Sequence, residues 1–278
     1  MQLSAGWSAY ELWFLGVDQP IAMPAAPAAP AAPAAPDRAW VVRLDDRRID
    51  DAGLAARVAE VAGAGLRGLS LAGCRAATDE GIAAALAVVP DLAHLDLFHT
   101  RAGDATARRI AGMARLRSVN LAGTAVSDAG AAALAGLADL ERLHLGFTPI
   151  TSRALAALAA LPVLTELALR STAIDDAGLA HVARAPRLTA LSVAATAIGD
   201  AGVDHLAAAA DRLRFLDLSY TRVTEASVAT LARLTALDTL GVRAVAIGRG
   251  ADARLRQALP RLAPTGLSPG HCPEGLFH

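Results

Sequence analysis

The sequence of 278 residues contains no lysine, only two cysteines and few aromatic residues. Cys74 and Cys272 are too few and too far apart in the sequence to suggest a disulfide framework. No run of 18 uncharged apolar residues occurs, so we expect no membrane-spanning helix. The 26 basic residues, all arginine, balance 27 acidic residues to a formal net charge of -1. This balance argues against a nucleic-acid-binding protein, because such proteins carry a clear excess of positive charge.

The chain does contain many small and aliphatic residues. Hydrophobic residues make up 54% of the sequence, whereas aromatic residues make up 4%. About a quarter of all residues are alanine. A chain of this length and composition buries a core of small and aliphatic side chains.

The amino-terminal residues 1–22 do not resemble a secretory signal peptide, because they lack a basic start and Glu11 interrupts their apolar stretch. We therefore expect a cytoplasmic protein, with export by a signal-independent route left open. Trp7, Tyr10 and Phe14 would share one side of a short helix. Two interpretations remain open: this helix docks a partner or caps the fold, or translation begins at Met23.

Two further segments lie outside the main domain. Residues 23–37 carry proline at every third position, which matches the three-residue turn of polyproline II and predicts a semi-rigid spacer. Residues 263–278 contain proline and glycine without periodicity and are predicted to form a loose tail. The remaining residues, 38–262, form the predicted repeat domain.

A nine-residue pattern, LxxLxLxxT, recurs through this domain every 24 to 26 residues. Its copies begin at residues 66, 92, 116, 140, 164, 188, 213 and 237. A degenerate copy, AWVVRLDDR, begins at Ala39 and brings the total to nine units. Internal repeats of this length are typical of solenoids, in which each unit buries its apolar face against its neighbours.

The pattern resembles the leucine-rich repeats of bacterial proteins that have threonine at the ninth position, and it is similar to the cysteine-containing repeats associated with F-box proteins. The resemblance implies an α/β solenoid, a right-handed arc of about nine strand–turn–helix units with a parallel sheet on its concave side. The first and last full repeats depart from it, with Cys74 and Val245 in place of threonine.

Each repeat contains the local signals of a strand, a turn and a helix. Apolar and polar residues alternate in the pattern, which predicts a half-buried strand. We interpret its threonines as a ladder of hydroxyls bonded to backbone, and the residues that start each helix as N-caps. The carboxylates of Asp128, Asp176 and Asp200 then fall in the first helical turn, where the helix dipole favours negative charge.

Counted from the first leucine, positions 3, 5, 7 and 8 of each repeat are expected to line the concave surface. All four aromatic residues between residues 41 and 262 occupy these positions, as do three histidines and several charged residues. Because aromatic residues are enriched at interfaces, we predict a protein-binding surface there; ordinary packing of the turns is the alternative. The candidate residues are Phe98, Phe147, Phe215, Tyr220, His94, Asp96, His99, Arg142, His144, Glu166, Arg170, Asp217 and Arg243.

The sequence offers little for catalysis or metal binding. Asp96 and His144 come from strands two apart and would be separated by about 9–10 Å, too far to share one ion. A smooth sheet also lacks a pocket in which a nucleophile meets a base. We therefore expect no cofactor, no metal and no enzymatic activity.

The leading functional hypothesis is a monomeric, non-enzymatic protein-interaction module that binds a protein partner on its concave face. The alternative is a substrate-recognition adaptor of a ubiquitin-ligase-like complex, or a host-directed bacterial effector. Residues 1–22 are too short to form an F-box, so that alternative would need a recruiting unit from elsewhere.

Overall fold

The computed structural model describes residues 40–44, 48–62 and 65–262, and in this part of the chain nine strands form one parallel sheet in sequential order. This confirms the predicted leucine-rich-repeat solenoid. The strands are β1 (Trp40–Arg43), β2 (Leu66–Ser70), β3 (His94–Asp96), β4 (Ser118–Asn120), β5 (Arg142–His144), β6 (Glu166–Ala168), β7 (Ala190–Ser192), β8 (Phe215–Asp217) and β9 (Thr239–Gly241). The predicted terminal helix, spacer and tail lie outside the described residues.

A short helix follows each strand and returns the chain to the start of the next one. The helices are α1 (Asp51–Val61), α2 (Asp79–Leu86), α3 (Asp104–Ile110), α4 (Asp128–Ala133), α5 (Ser152–Leu158), α6 (Asp176–Val182), α7 (Asp200–His205), α8 (Val228–Leu231) and α9 (Arg249–Ala258). Three single turns of 3-10 helix extend them, at Leu134–Gly136, Leu206–Ala209 and Glu225–Ser227. Within the described residues, no helix is both long and apolar enough to cross a membrane.

The leucine positions of the repeat form the core, because strand side chains at positions 4 and 6 point away from the concave face. Leu143 and Leu145 of one repeat and Leu167 and Leu169 of the next are all at most 1% exposed. The helices contribute the opposite wall, for example through Leu158, which is fully buried. Every repeat thus shares one continuous core with its two neighbours.

The threonine at position 9 is buried and makes a short hydrogen bond within its own repeat. Thr172 Oγ1 donates to the carbonyl of Leu169 at 2.6 Å, and Thr148 Oγ1 donates to Leu145 at 2.5 Å. The predicted hydroxyl-to-backbone bonding is therefore present. Each of these bonds lies within one repeat and joins residues three positions apart.

The carboxylates at the helix starts connect neighbouring repeats. Asp128 accepts hydrogen bonds from both the backbone N–H and the hydroxyl of Thr151, the N-cap of the next helix, each at 2.6 Å. Asp104 binds Ser127 in the same way. We call this pair of bonds an inter-repeat bridge. The sequence prediction assigned these carboxylates only a local role at their own helix, and that assignment was incomplete.

The inter-repeat bridges also affect protonation. Burial raises the pKa of the Asp200 carboxyl, but hydrogen bonds from Ser227 and Thr224 outweigh burial and leave that pKa below its usual value. Asp79 behaves similarly, since hydrogen bonds from Thr106, Gly103 and Ala105 outweigh its burial. The charged form of these carboxylates therefore stabilises the stacked repeats.

Candidate functional site

The residue at position 8 of every full repeat has a left-handed backbone conformation. In two repeats this residue is glycine, Gly73 (φ 76°) and Gly123 (φ 70°). In the other six it carries a side chain: His99, Phe147, Ser171, Ala195, Tyr220 and Ala244, with φ between 52° and 59°. A side chain in this region costs about 1–3 kcal/mol relative to a relaxed conformation. We call repeat positions 7 to 10, which lie directly after each strand, the turn edge.

Two aromatic side chains stand exposed at this strained position. Phe147 is 53% exposed and Tyr220 is 44% exposed. Both are bulky residues, for which a positive φ is a genuine outlier. Because glycine occupies the same position in two other repeats, the fold itself does not require an aromatic ring there.

The other two aromatic candidates, Phe98 and Phe215, are more buried. Phe98 is partly buried and packs edge-on against the ring of His99, with ring centroids 4.1 Å apart. His99 in turn lies over Gly123, where a β-carbon would come within 2.7 Å of its Nδ1. Phe215, on strand β8, is only 7% exposed and so offers a partner little surface.

Most candidates at position 5 are buried and engaged with their own strand ends. Asp96 Oδ1 accepts the backbone N–H of Phe98 at 3.0 Å, and Asp217 Oδ1 accepts that of Ser219 at 3.0 Å. Their exposed fractions are 6% and 4%. These carboxylates hold the chain in its turn after the strand, a role the sequence prediction missed although Asp and Asn favour such turns.

A buried polar pair lies on the concave face between strands β5 and β6. His144 Nε2 and Glu166 Oε1 are 2.6 Å apart, and their side chains are 3% and 6% exposed. The sequence did not indicate the pairing of His144 with Glu166. The diagonal offset of the two residues in the parallel register brings them together. Arg142, directly opposite Glu166, instead directs its Nε to Ser118 Oγ at 3.4 Å.

His94 is partly buried on the same face, and its Nδ1 has no hydrogen-bond partner among the described residues. Burial lowers the pKa of His94 to about 4, and the positive charges of Arg142 and Arg117 add to that effect. His94 is therefore neutral at pH 7. Burial also lowers the pKa of His99, with a further contribution from Arg75.

The remaining candidates are two arginines of the turn edge. Arg243 is exposed, and its guanidinium carbon lies 5.7 Å from the centroid of the Tyr220 ring, a cation–π distance. Arg170 is partly buried beside Ser171. Among the described residues no group of three His, Cys, Asp or Glu side chains is arranged to hold a metal ion.

Two sequence matches accord with this geometry. Residues 129–258 match the family described as FBD-associated F-box protein At5g56370, LRR repeats, and residues 115–135 match a family described as leucine-rich repeat. No curated protein matches the chain in sequence.

Two solved structures with a similar fold are internalins of Listeria monocytogenes. The internalin inlC2 shares 24% identity over 70% of this chain and 74% of its own, with a TM-score of 0.53. The internalin inlF shares 20% identity over 72% of this chain, with a TM-score of 0.51. The chain spans just under two thirds of that protein, since the match covers 66% of it. Fold and matches together support a leucine-rich repeat protein.

Proposed function

We propose that this chain is a non-enzymatic protein-interaction module that binds a protein partner with the turn edge beside its concave face. The observation that carries the proposal is the exposure of Phe147 and Tyr220 at a strained backbone position. Position 8 is left-handed in every full repeat, so the fold sets this backbone conformation, but the fold does not require a bulky ring there, since glycine, alanine or serine occupies the position in five repeats. Exposed aromatic rings are also the side chains that most often dominate interface energies.

The buried candidates have supporting roles in this proposal. Asp96 and Asp217 fix the turns that carry Phe98 and Tyr220. The His144–Glu166 pair joins strands β5 and β6, and the turn with Phe147 follows β5. Phe147 and Tyr220 follow strands β5 and β8 in their repeats, so the two residues are three strand spacings apart, about 14 Å. Ser171 and Ala195 occupy the same position in the two repeats between them. A partner would therefore contact two rings that are separated by two small side chains.

Affinity capture followed by titration tests the proposal. The full chain and its Phe147→Ala, Tyr220→Ala and His205→Ala variants are used to capture proteins from a lysate of the source organism. His205 is exposed on helix α7, away from the turn edge, and serves as the control. We expect a captured protein to bind the control like the unaltered chain and the aromatic variants at least tenfold more weakly, about 1.4 kcal/mol.

The proposal fails if the aromatic variants retain full affinity while His205→Ala loses it, because the helical side would then be the binding face. Thermal unfolding of each variant separates loss of binding from loss of folding.

A second function, substrate recognition in a ubiquitin-ligase-like complex, is favoured by one observation. Residues 129–258 match repeats of an F-box protein. The proposal predicts that subunits of a ubiquitin ligase co-purify with the chain. Capture of a partner without any such subunit contradicts it and leaves the interaction module as the simpler account.

A further inference from the structure

The turn edge carries positive charge and no negative charge. It comprises 32 residues in the eight full repeats: 72–75, 98–101, 122–125, 146–149, 170–173, 194–197, 219–222 and 243–246. These segments contain no Asp or Glu, although 27 acidic residues among 278 would place about three in a set of this size. They contain five arginines, namely Arg75, Arg101, Arg170, Arg222 and Arg243.

These five guanidinium groups differ from the arginines at the opposite end of the strands. There, Arg117 pairs with Glu141 at 3.1 Å and Arg214 pairs with Asp238 at 2.5 Å. Within the part of the chain that the structure describes, no carboxylate pairs with an arginine of the turn edge. Four of the five are exposed, and Arg170 is partly buried.

The row of carboxylates at the helix starts is already engaged in hydrogen bonds. Asp79 accepts the backbone N–H groups of Gly103, Ala105 and Thr106, and Asp200 accepts from Thr224 and Ser227. The oxygens of these carboxylates bond to the next helix start. The arginines of the turn edge are therefore available to the anionic groups of a partner. The carboxylates of Asp96 and Asp217 at the strand ends are likewise engaged, by the backbone N–H groups of Phe98 and Ser219. The five arginines therefore form no ion pair within the described residues, even though the whole chain is nearly neutral.

Arginines and aromatic rings alternate along this edge. Arg75 and Arg101 flank Phe98, and Arg222 and Arg243 flank Tyr220, with Phe147 between the two groups. We infer that the turn edge binds an acidic, extended segment of a protein partner, whose carboxylates pair with the arginines and whose apolar side chains contact Phe147 and Tyr220. This inference rests on the proposed protein-interaction function and names the chemistry of its partner.

The dimensions set the length of that segment. Seven strand spacings separate the repeats of Arg75 and Arg243, about 34 Å. An extended peptide spans about 3.3 Å per residue, so roughly ten residues cover the edge. Charge pairs exposed at the rim of an interface act mainly on the association rate and on selectivity against basic partners. An acidic protein segment fits better than a nucleic acid, because the chain has a formal net charge of -1 and lacks the clear excess of positive charge that nucleic-acid-binding proteins carry.

A random dodecapeptide library displayed on phage tests the inference without knowledge of the natural partner. The library is panned against the full chain, and the enriched peptides are synthesised and titrated by fluorescence anisotropy at 50 and 300 mM NaCl. We expect enriched peptides with a net charge of -3 or lower, and a Kd that rises at least fivefold at the higher salt concentration.

Matched double variants locate the site. Arg222→Gln/Arg243→Gln removes two charges from the turn edge, and Arg117→Gln/Arg214→Gln removes two charges from the opposite strand ends. We expect the first pair to raise the Kd at least tenfold and the second to change it less than twofold. Circular dichroism of both variants checks that the solenoid is intact.

Other outcomes distinguish the two proposals. Neutral or basic peptides that lose affinity with Phe147→Ala but not with Arg222→Gln/Arg243→Gln overturn the acidic partner and leave the interaction module standing. Enriched peptides whose affinity changes neither with Phe147→Ala nor with Arg222→Gln/Arg243→Gln would remove the support for both proposals. Tighter binding of a twelve-nucleotide oligothymidine than of any enriched peptide overturns a protein segment as the occupant in favour of a nucleic acid.

Discussion

The carboxylate of Asp176 occupies the space that a side chain at Gly202 would need. A β-carbon at Gly202 would come within 2.5 Å of Asp176 Oδ1, which accepts the backbone N–H of Gly199 at 2.7 Å. The glycine lies in the first turn of helix α7, one repeat after the aspartate. The absence of a side chain therefore allows the two repeats to bond to one another.

This relationship predicts that Gly202→Ala destabilises the protein. In an ordinary helix, alanine in place of glycine stabilises by about 1 kcal/mol. Here the added methyl group displaces the Asp176 carboxylate and leaves the Gly199 N–H unpaired, so we expect a net loss of about 1–2 kcal/mol in the free energy of unfolding. Urea denaturation measures the change.

The control is Gly250→Ala in helix α9, where a β-carbon meets no atom within 4 Å. This variant should be neutral or slightly stabilising. Equal effects of the two substitutions would show that the carboxylate at Gly202 moves aside without cost.

A second prediction compares the core with the threonine turn in one repeat. Leu167 is 1% exposed, and Leu167→Ala should cost about 2–5 kcal/mol because it leaves a cavity between two repeats. Thr172→Val keeps the shape of the side chain but leaves the carbonyl of Leu169 without the hydroxyl, at a cost of about 1–3 kcal/mol. Chemical denaturation of both variants compares them directly, and a larger loss for Thr172→Val would reverse the ranking.

Stability should also depend on His94 in mildly acidic solution. Its pKa is about 4 in the folded protein and near 6.5 when unfolded, so the unfolded chain binds more protons between these values. The free energy of unfolding is therefore not reduced by His94 above pH 6.5, and it decreases as the pH drops towards 4. We expect a loss of about 2 kcal/mol, less than the full shift implies because solvent screens the partly exposed ring.

His94→Gln should remove this slope between pH 6.5 and 4, measured by urea denaturation across that range. Both proteins should lose further stability as the pH falls below the ordinary aspartate pKa of 3.8. The pKa values of Asp79 and Asp200 are lower in the folded protein than in the unfolded chain, so protonation of these carboxylates favours unfolding. An unchanged slope in His94→Gln would mean that other groups govern the mildly acidic range.

The repeat spacing was sufficient to predict the fold, because strand order, parallel pairing and the buried leucines all follow from a pattern that recurs every 24 to 26 residues. Burial at positions 3 and 5 was not predictable from one repeat. Whether Asp217 or His144 is exposed depends on the neighbouring strand, and His144 meets Glu166 only through the diagonal offset between strands.

Two further features had signals in the sequence that were overlooked. Gly73 and Gly123 share position 8, which indicates a left-handed conformation there. Asp104 and Asp128 each precede a Ser or Thr by 23 residues, the spacing of an inter-repeat bridge. Exposure of Phe147 within its turn still required the three-dimensional structure.

The central claim is that Phe147 and Tyr220 serve binding rather than folding, and replacing both with glycine tests it most directly. Glycine relieves the left-handed strain of about 1–3 kcal/mol per residue, which offsets the lost packing of the half-exposed rings. The measurement is paired: urea denaturation and titration of a captured or library-derived protein ligand on Phe147→Gly/Tyr220→Gly. The account predicts an unfolding free energy within about 1 kcal/mol of the unaltered chain and an affinity at least tenfold lower. An unchanged affinity, or a loss of stability large enough to explain the loss of binding, would contradict it.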